Sequence, residues 1–86
     1  MTKNGSMGRS RRLPTRAHEI VRRIGQVQTA QKSSAVHVNL VINASSSRDW
    51  DSLQALLNRM LIAAPEPFLV RLTRAGWRVW HSDRAS

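Results

Sequence analysis

The hydrophobic period changes once within residues 36–63, VHVNLVINASSSRDWDSLQALLNRMLIA, and this change decides the predicted fold. Val36, Val38, Leu40 and Ile42 first alternate with mostly polar positions, which predicts a half-buried strand rich in β-branched residues. After a polar segment, apolar residues recur at helical spacing, which predicts a helix from about 48 to 63. The apolar stripe of this helix consists of Trp50, Leu53, Leu56, Leu57, Met60 and Leu61.

Both ends of helix 48–63 carry boundary signals. Ser46 or Ser47 can accept hydrogen bonds from the first N–H groups, and Asp49 and Asp51 favour the positive end of the helix dipole. A helix N-terminus can also attract an anion. We expect simple capping instead, because the segment lacks the glycines and lysine of a phosphate loop and carries two opposing carboxylates. The segment Ala64-Pro65-Glu66-Pro67 ends the helix, since a residue before proline is pushed out of helical geometry.

The C-terminal third predicts a hairpin of two strands, 68–73 and 77–81, around Arg74-Ala75-Gly76, where glycine would supply a positive φ. A two-residue turn would segregate the two faces. One face, the core side, would hold Phe68, Val70, Leu72, Trp77 and Val79. The other would hold Leu69, Arg71, Thr73, Arg78 and Trp80. A three-residue turn with a bulge would mix the two sets, so the first register is preferred.

Another helix is predicted upstream, over residues 14–30, where Pro14 suits the first turn because its missing N–H needs no partner there. A narrow apolar stripe is formed by Ala17, Ile20, Ile24 and Val27. The other sides carry Arg16, Arg22, Arg23, Gln26 and Gln28. Gly25 weakens such a helix by about 1 kcal/mol relative to alanine. The helix therefore needs a surface to pack against.

These elements predict a small single-domain α+β protein in the order α-β-α-β-β. Residues 35–82 would form a compact βαββ domain, a three-stranded sheet with one face packed by helix 48–63. A disordered arginine-rich arm (1–13) and the basic helix 14–30 would precede it, and residues 83–86 would fray. The other face of the sheet must be polar, covered by the first helix or buried against another copy.

Positive charge is concentrated at the N-terminal end of the chain. The 86 residues carry a formal net charge of +9. Residues 1–34 hold eight lysines and arginines against Glu19 alone, a net +7, whereas residues 35–86 hold six arginines against four acids, a net +2. Such an arm extends by self-repulsion and concentrates polyanions around it.

This distribution indicates a nucleic-acid-binding accessory protein, with DNA and RNA both open as ligands. Contacts to phosphates would come mainly from the arm and first helix, and a basic track on the hairpin would extend them. We expect Trp50 and Trp77 to pack inside and Trp80 to stay exposed as a platform for a base. The predicted contact residues are Arg9, Arg11, Arg12, Arg16, Arg22, Arg23, Arg71, Arg74, Arg78 and Trp80.

The alternative is a protein-interaction module, a small subunit, adaptor or inhibitor. It would use the open sheet face and an interface on the first helix formed by Ile20, Ile24 and Val27. A homodimer through these surfaces fits either hypothesis. Attachment to an anionic membrane is weaker, because the helical stripe lacks large aromatic anchors.

The remaining chemistry is sparse. The chain has no cysteine, so disulfides and thiolate metal sites are excluded. His18, His37 and His81 are scattered singly, and the acids give no acid/base pair, so we expect no metal, no cofactor and no enzyme activity. No stretch approaches the roughly 20 apolar residues of a membrane span. We expect a cytoplasmic protein, with the nucleoid as one place of action, and weigh an organelle transit peptide in residues 1–18 as the lesser alternative.

Overall fold

A computed structural model describes residues 13–85, and for residues 83–85 it describes the backbone alone. Within that range the chain forms three α-helices and a three-stranded antiparallel sheet, so the predicted small α+β domain is confirmed. The helices are α1 (Thr15–Gln31), α2 (Ser47–Asn58) and α3 (Arg74–Ala85). The strands are β1 (Val36–His37), β2 (Ile62–Ala63) and β3 (Leu69–Leu72), and a 3-10 helix (Val38–Leu40) follows β1 directly.

Strand β3 is the centre of the sheet, in the order β1-β3-β2. Val36 pairs with Val70 in β3, and Ile62 pairs with Leu72. These four side chains are buried on one face of the sheet. The other face carries the alternate residues of the strands, His37, Ala63, Leu69 and Arg71.

Helix α1 lies inside the domain and supplies much of its core. Ala17, Ile20 and Ile24 are fully buried, and Val21 is nearly so. The helix contacts β1 and β3, and it also packs against α2 and α3. Helix α2 contributes Leu53 and Leu56 to the same core and contacts β2. The packed face of the sheet is thus shared between α1 and α2, rather than covered by helix 48–63 alone.

One buried polar side chain of α1 completes the hydrogen bonding of the sheet. Gln28 is 7% exposed, and its Oε1 accepts a hydrogen bond from the backbone N–H of Leu72 at 2.8 Å. Its Nε2 donates to the carbonyls of Ser33 and Ser34, both at 3.3 Å. The sequence places Gln28 on the polar side of the helix, but position 28 lies one turn beyond Ile24, on the buried stripe.

The first predicted strand is much shorter than residues 36–43. Only Val36 and His37 are extended, and the chain then turns into the 3-10 helix, which His37 caps by accepting a hydrogen bond at Nδ1 from Asn39 N. Beyond it, Val41 and Ile42 both donate backbone hydrogen bonds to the carbonyl of Val38. The buried residues therefore follow helical spacing, and Leu40, predicted to be inward-facing, is 48% exposed.

Helix 48–63 is also shorter than predicted, because α2 ends at Asn58. Met60 adopts φ 59°, and its N–H donates to the carbonyl of Leu57, while Leu61 N–H donates to Leu56. This pair of hydrogen bonds is the Schellman arrangement that closes a helix in a left-handed residue. After this turn the chain forms β2, the edge strand that pairs with β3. At the other end, Ser46 Oγ accepts a hydrogen bond from Asp49 N, as the capping prediction requires.

The predicted strand 77–81 is wrong, because residues 74–85 form α3. Thr73 starts this helix: its Oγ1 accepts a hydrogen bond from Gly76 N, and its carbonyl accepts one from Trp77 N. Gly76 does not have a positive φ; its role is close approach, since a Cβ there would overlap the carbonyl oxygen of Leu61. The helix continues to Ala85, through most of the segment predicted to fray.

None of the helices in residues 13–85 is both long enough and apolar enough to cross a membrane.

Candidate nucleic-acid interface

The solvent side of α1 carries charged and polar residues because its apolar stripe is fully used by the core. Glu19, Arg22, Arg23 and Gln26 are all exposed on this side. Together with Arg16 they line a cleft of about 300 Å³. Three guanidinium groups and one carboxylate therefore border the same depression. Guanidinium groups match the geometry of phosphate oxygens, so the cleft has the chemistry of an anion site.

Arg16 is held by two carboxylates and contributes less to this cleft than the sequence suggests. Its Nε and Nη2 donate to the two carboxylate oxygens of Asp49 at 2.8 and 2.7 Å. Its Nη1 also pairs with Glu19 at 3.0 Å. One positive charge thus faces two negative charges, and we assign Arg16 to the joint between α1 and α2 rather than to a ligand.

Asp49 is the acceptor at the centre of this joint. Its carboxylate side chain is 6% exposed and also accepts a hydrogen bond from Asn43 N at 2.8 Å. The hydrogen bonds from Arg16 and then from Asn43 lower the pKa of Asp49 from 3.8 to about 2. The same pairing raises the pKa of Arg16. Because Asp49 occupies the start of α2, no free anion site forms there.

The described cationic side chains beside the cleft that remain exposed are Arg22 and Arg23. Arg23 lies near enough to Asp49 to lower that carboxyl's pKa as well. The predicted contacts Arg9, Arg11 and Arg12 lie outside the described residues. They precede α1 directly in the chain, so their attachment point is the N-terminal end of the helix that bears the cleft.

The other predicted arginines lie elsewhere on the domain. Arg71 is exposed on the face of the sheet opposite α1, because its neighbours Val70 and Leu72 are buried. Arg74 and Arg78 are exposed and stand one turn apart on α3. The structure therefore brings Arg22 and Arg23 together on one side and leaves Arg71 on the opposite side, rather than forming one continuous track.

Trp80, predicted to be an exposed platform, is buried at 6% exposure. Its indole packs on Gly25 of α1 so closely that a Cβ at Gly25 would overlap the ring. Trp77 is half-buried and meets Trp80 edge-on, with centroids 5.3 Å apart and planes at 89°. Trp50, predicted to be internal, is 36% exposed, and its Nε1 donates to the carbonyl of Ala44 at 2.8 Å.

The residues predicted as a protein interface on the first helix belong to the core. Ile20 and Ile24 have no exposed surface, and Val27 is half-buried. The apolar stripe of α1, which the sequence predicts to need a packing surface, packs against other elements of the same chain. While this fold is intact, Ile20 and Ile24 offer no surface to another protein.

Phe68, predicted to face the core, is 63% exposed. It stands at the start of β3 with φ 66°, and its ring stacks on His37 with centroids 6.2 Å apart and planes at 11°. The sequence signal for this position was the segment Glu66-Pro67-Phe68. Proline at the second place of a turn is commonly followed by a residue with positive φ.

In the part of the chain that the structure describes, no group of three histidine or acidic side chains is placed to hold a metal ion. Comparisons with protein-family models, with curated proteins and with solved structures give no significant match to this chain. The candidate function therefore rests on the chemistry and geometry of the chain's own residues.

Proposed function

We propose that this protein binds nucleic acid, mainly through phosphate contacts made by its N-terminal arm and the exposed side of α1. The observation that carries the proposal is the position of Arg22 and Arg23, which border one cleft on the helix that directly follows the arm. Residues 1–34 hold a net charge of +7 in the full sequence. The arm and the helix thus form one basic region that is continuous along the chain.

The mechanism is electrostatic. Each arginine or lysine that neutralises a phosphate releases condensed counterions, so the affinity falls as the salt concentration rises. The guanidinium groups can pair with phosphate oxygens in two-pronged geometry, which fixes position without reading a base. The ion pair of Arg16 with Asp49 keeps α1 seated on α2, and this seating holds Arg22 and Arg23 on the outer side.

The alternative function, a protein-interaction module, has less support from the geometry. Its helical stripe is internal, as Ile20 and Ile24 are fully buried. Its other motive, the open sheet face, persists, and the exposed Phe68 stacks on His37 of that face. Of the two surfaces predicted for a homodimer, the sheet face is the one that stays exposed. Binding of a partner to that face would persist at moderate salt concentration, because salt does not screen apolar contacts.

The test is a salt titration of binding to labelled duplex DNA, single-stranded DNA and a structured RNA. The wild-type chain is compared with a variant in which Arg9, Arg11 and Arg12 are all replaced by glutamine, which leaves the described domain untouched. We expect wild-type affinity to fall linearly on a log–log plot of binding against salt. For duplex DNA, each lost phosphate contact makes the negative slope of log affinity against log salt shallower by about 0.9.

Wild-type binding with a slope that the triple variant reduces would support the proposal, and the preferred ligand would separate DNA from RNA. Absence of binding to all three ligands at low salt would overturn it. Binding to these ligands that is insensitive to salt would contradict the phosphate-contact mechanism.

A further inference from the structure

The open face of the sheet carries a compact set of side chains. Register places His37 beside Leu69 and Ala63 beside Arg71, with each pair on the same face. His37 and Arg71 are exposed, and Ala63 and Leu69 are half-buried. This face is therefore a small apolar floor with an imidazole at one corner and a guanidinium at another.

Phe68 stands at the edge of this floor, at a turn position where an aromatic residue is unusual. The N–H of Leu69 donates to the carbonyl of Glu66, which closes a four-residue turn with Pro67 second and Phe68 third. The third place of such a turn takes a positive φ and favours glycine or asparagine. Phe68 adopts φ 66° there. A non-glycine residue in this conformation carries backbone strain, which concentrates at functional sites.

Burial does not explain Phe68, because 63% of its surface is exposed. The two other non-glycine residues with positive φ, among those described, are Lys32 and Met60, and each ends a helix. Phe68 ends no helix. Its backbone is fixed by a hydrogen bond from Val38 N to its carbonyl at 2.8 Å, and its ring is held parallel to His37. An exposed aromatic ring thus lies parallel to the imidazole of His37 on this side of the sheet.

We propose that Phe68, backed by His37 and with Arg71 on the same face, is a stacking platform for an unpaired base of single-stranded nucleic acid. This proposal rests on the proposed function and adds a second contact region, on the side of the sheet opposite α1. Bases stack on exposed aromatic rings irrespective of sequence, whereas bases inside a duplex already stack on one another. Arg71 supplies the positive charge that a phosphate beside the stacked base requires.

The test compares an oligo(dT) strand with an abasic deoxyribose-phosphate strand of the same length. The two strands carry equal phosphate charge, so their difference in affinity reports the bases alone. For the wild-type chain we expect the oligo(dT) strand to bind roughly ten-fold more tightly than the abasic strand. Phe68→Leu keeps an apolar side chain but removes the ring, so it should lower affinity for oligo(dT) to the abasic value and leave the abasic strand unaffected.

Two control variants sharpen the comparison. Phe68→Tyr keeps the ring and should retain the preference for oligo(dT). Met60→Leu alters another exposed apolar residue with positive φ, at the other end of β3, where its carbonyl accepts a hydrogen bond from Thr73 Oγ1. It should also retain the preference. Circular dichroism of each variant verifies that the fold is unchanged.

Three results would overturn the platform, and only the third would overturn the proposed function as well. Equal affinity of the wild-type chain for both strands, or a preference that Phe68→Leu retains, would remove the platform while salt-sensitive binding kept the proposed function. Failure to bind either strand, duplex DNA or structured RNA at low salt would remove both.

Discussion

Arg16 and Asp49 join the first turns of α1 and α2 through two parallel hydrogen bonds, Nε to Oδ1 at 2.8 Å and Nη2 to Oδ2 at 2.7 Å. The two residues are 33 positions apart in the chain. The sequence predicts a different role for each residue: Arg16 as a phosphate contact, and Asp49 as an acid that favours the helix dipole. The structure converts them into one bridge that fixes how α1 lies on the domain.

This bridge predicts a loss of stability in acid. The pKa of Asp49 is lowered from 3.8 to about 2 in the folded chain. A carboxyl group with a depressed folded pKa contributes stability that is complete above its unfolded pKa and is lost as the pH falls through the folded one. We therefore expect the melting temperature to fall between pH of about 4 and about 2, measured by circular dichroism.

Asp49→Asn provides the matched test of that pH dependence. This variant keeps the size of the side chain but cannot form the ion pair, so it should melt at a lower temperature at neutral pH and show a smaller fall in acid. Asp51→Asn, an exposed acid in the same helix, is the control and should behave much as the wild type does. An unchanged acid profile in Asp49→Asn would contradict the assignment.

Gly25 is predicted to be irreplaceable although it lies within α1. Glycine to alanine usually stabilises a helix by about 1 kcal/mol. Here the added Cβ would overlap the indole of Trp80, which has little room to move because it is buried. We expect Gly25→Ala to lower the free energy of unfolding by about 1–3 kcal/mol in urea denaturation. Gln26→Ala, on the exposed side of the same helix, should change it by less than about 0.5 kcal/mol.

Met60 offers the opposite case, a residue that glycine should improve. It is 74% exposed and adopts φ 59° in the closing turn of α2, so its side chain contributes little burial and its backbone is strained. Met60→Gly should raise the free energy of unfolding by about 1 kcal/mol. Arg59→Gly, next to it at φ −87°, should lower it by a similar amount. Destabilisation by Met60→Gly would show that the side chain has a structural role beyond its conformation.

The sequence predicted those elements whose signals are local. Helix α2 begins where Ser46 and the aspartates indicate, and the alternation in β3 correctly separates buried Val70 and Leu72 from exposed Arg71. The strand prediction for residues 77–81 is wrong because their apolar positions fit the spacing of a strand and that of a helix equally well. Trp77 and Val79 alternate as in a strand, yet Trp77 and Trp80 also lie at helical spacing. The contact of Trp80 with Gly25 decides between them, and that contact is distant in sequence.

The candidate site was predicted in part for the same reason. Composition locates the basic arm and the basic side of α1, since charge needs no fold to be counted. Composition does not reveal that Arg16 pairs with Asp49, nor that Ile20 and Ile24 are buried in the core. An aromatic residue at the start of a strand is normally internal, so the sequence predicts a core position for Phe68, whereas the turn at Pro67 directs it outward.

We propose that Arg22 and Arg23, on the exposed side of α1, contact phosphates. The test is the salt dependence of duplex DNA binding, measured for two double variants. One variant is Arg22→Gln/Arg23→Gln. The other, Arg48→Gln/Arg59→Gln, changes the two ends of α2 and has the same net charge, so it is the control. Two lost phosphate contacts should reduce the log–log slope by about 2 in the first variant, and the second should keep nearly the wild-type slope. Equal slopes in the two variants would contradict a site on α1 and reduce the binding to an effect of net charge.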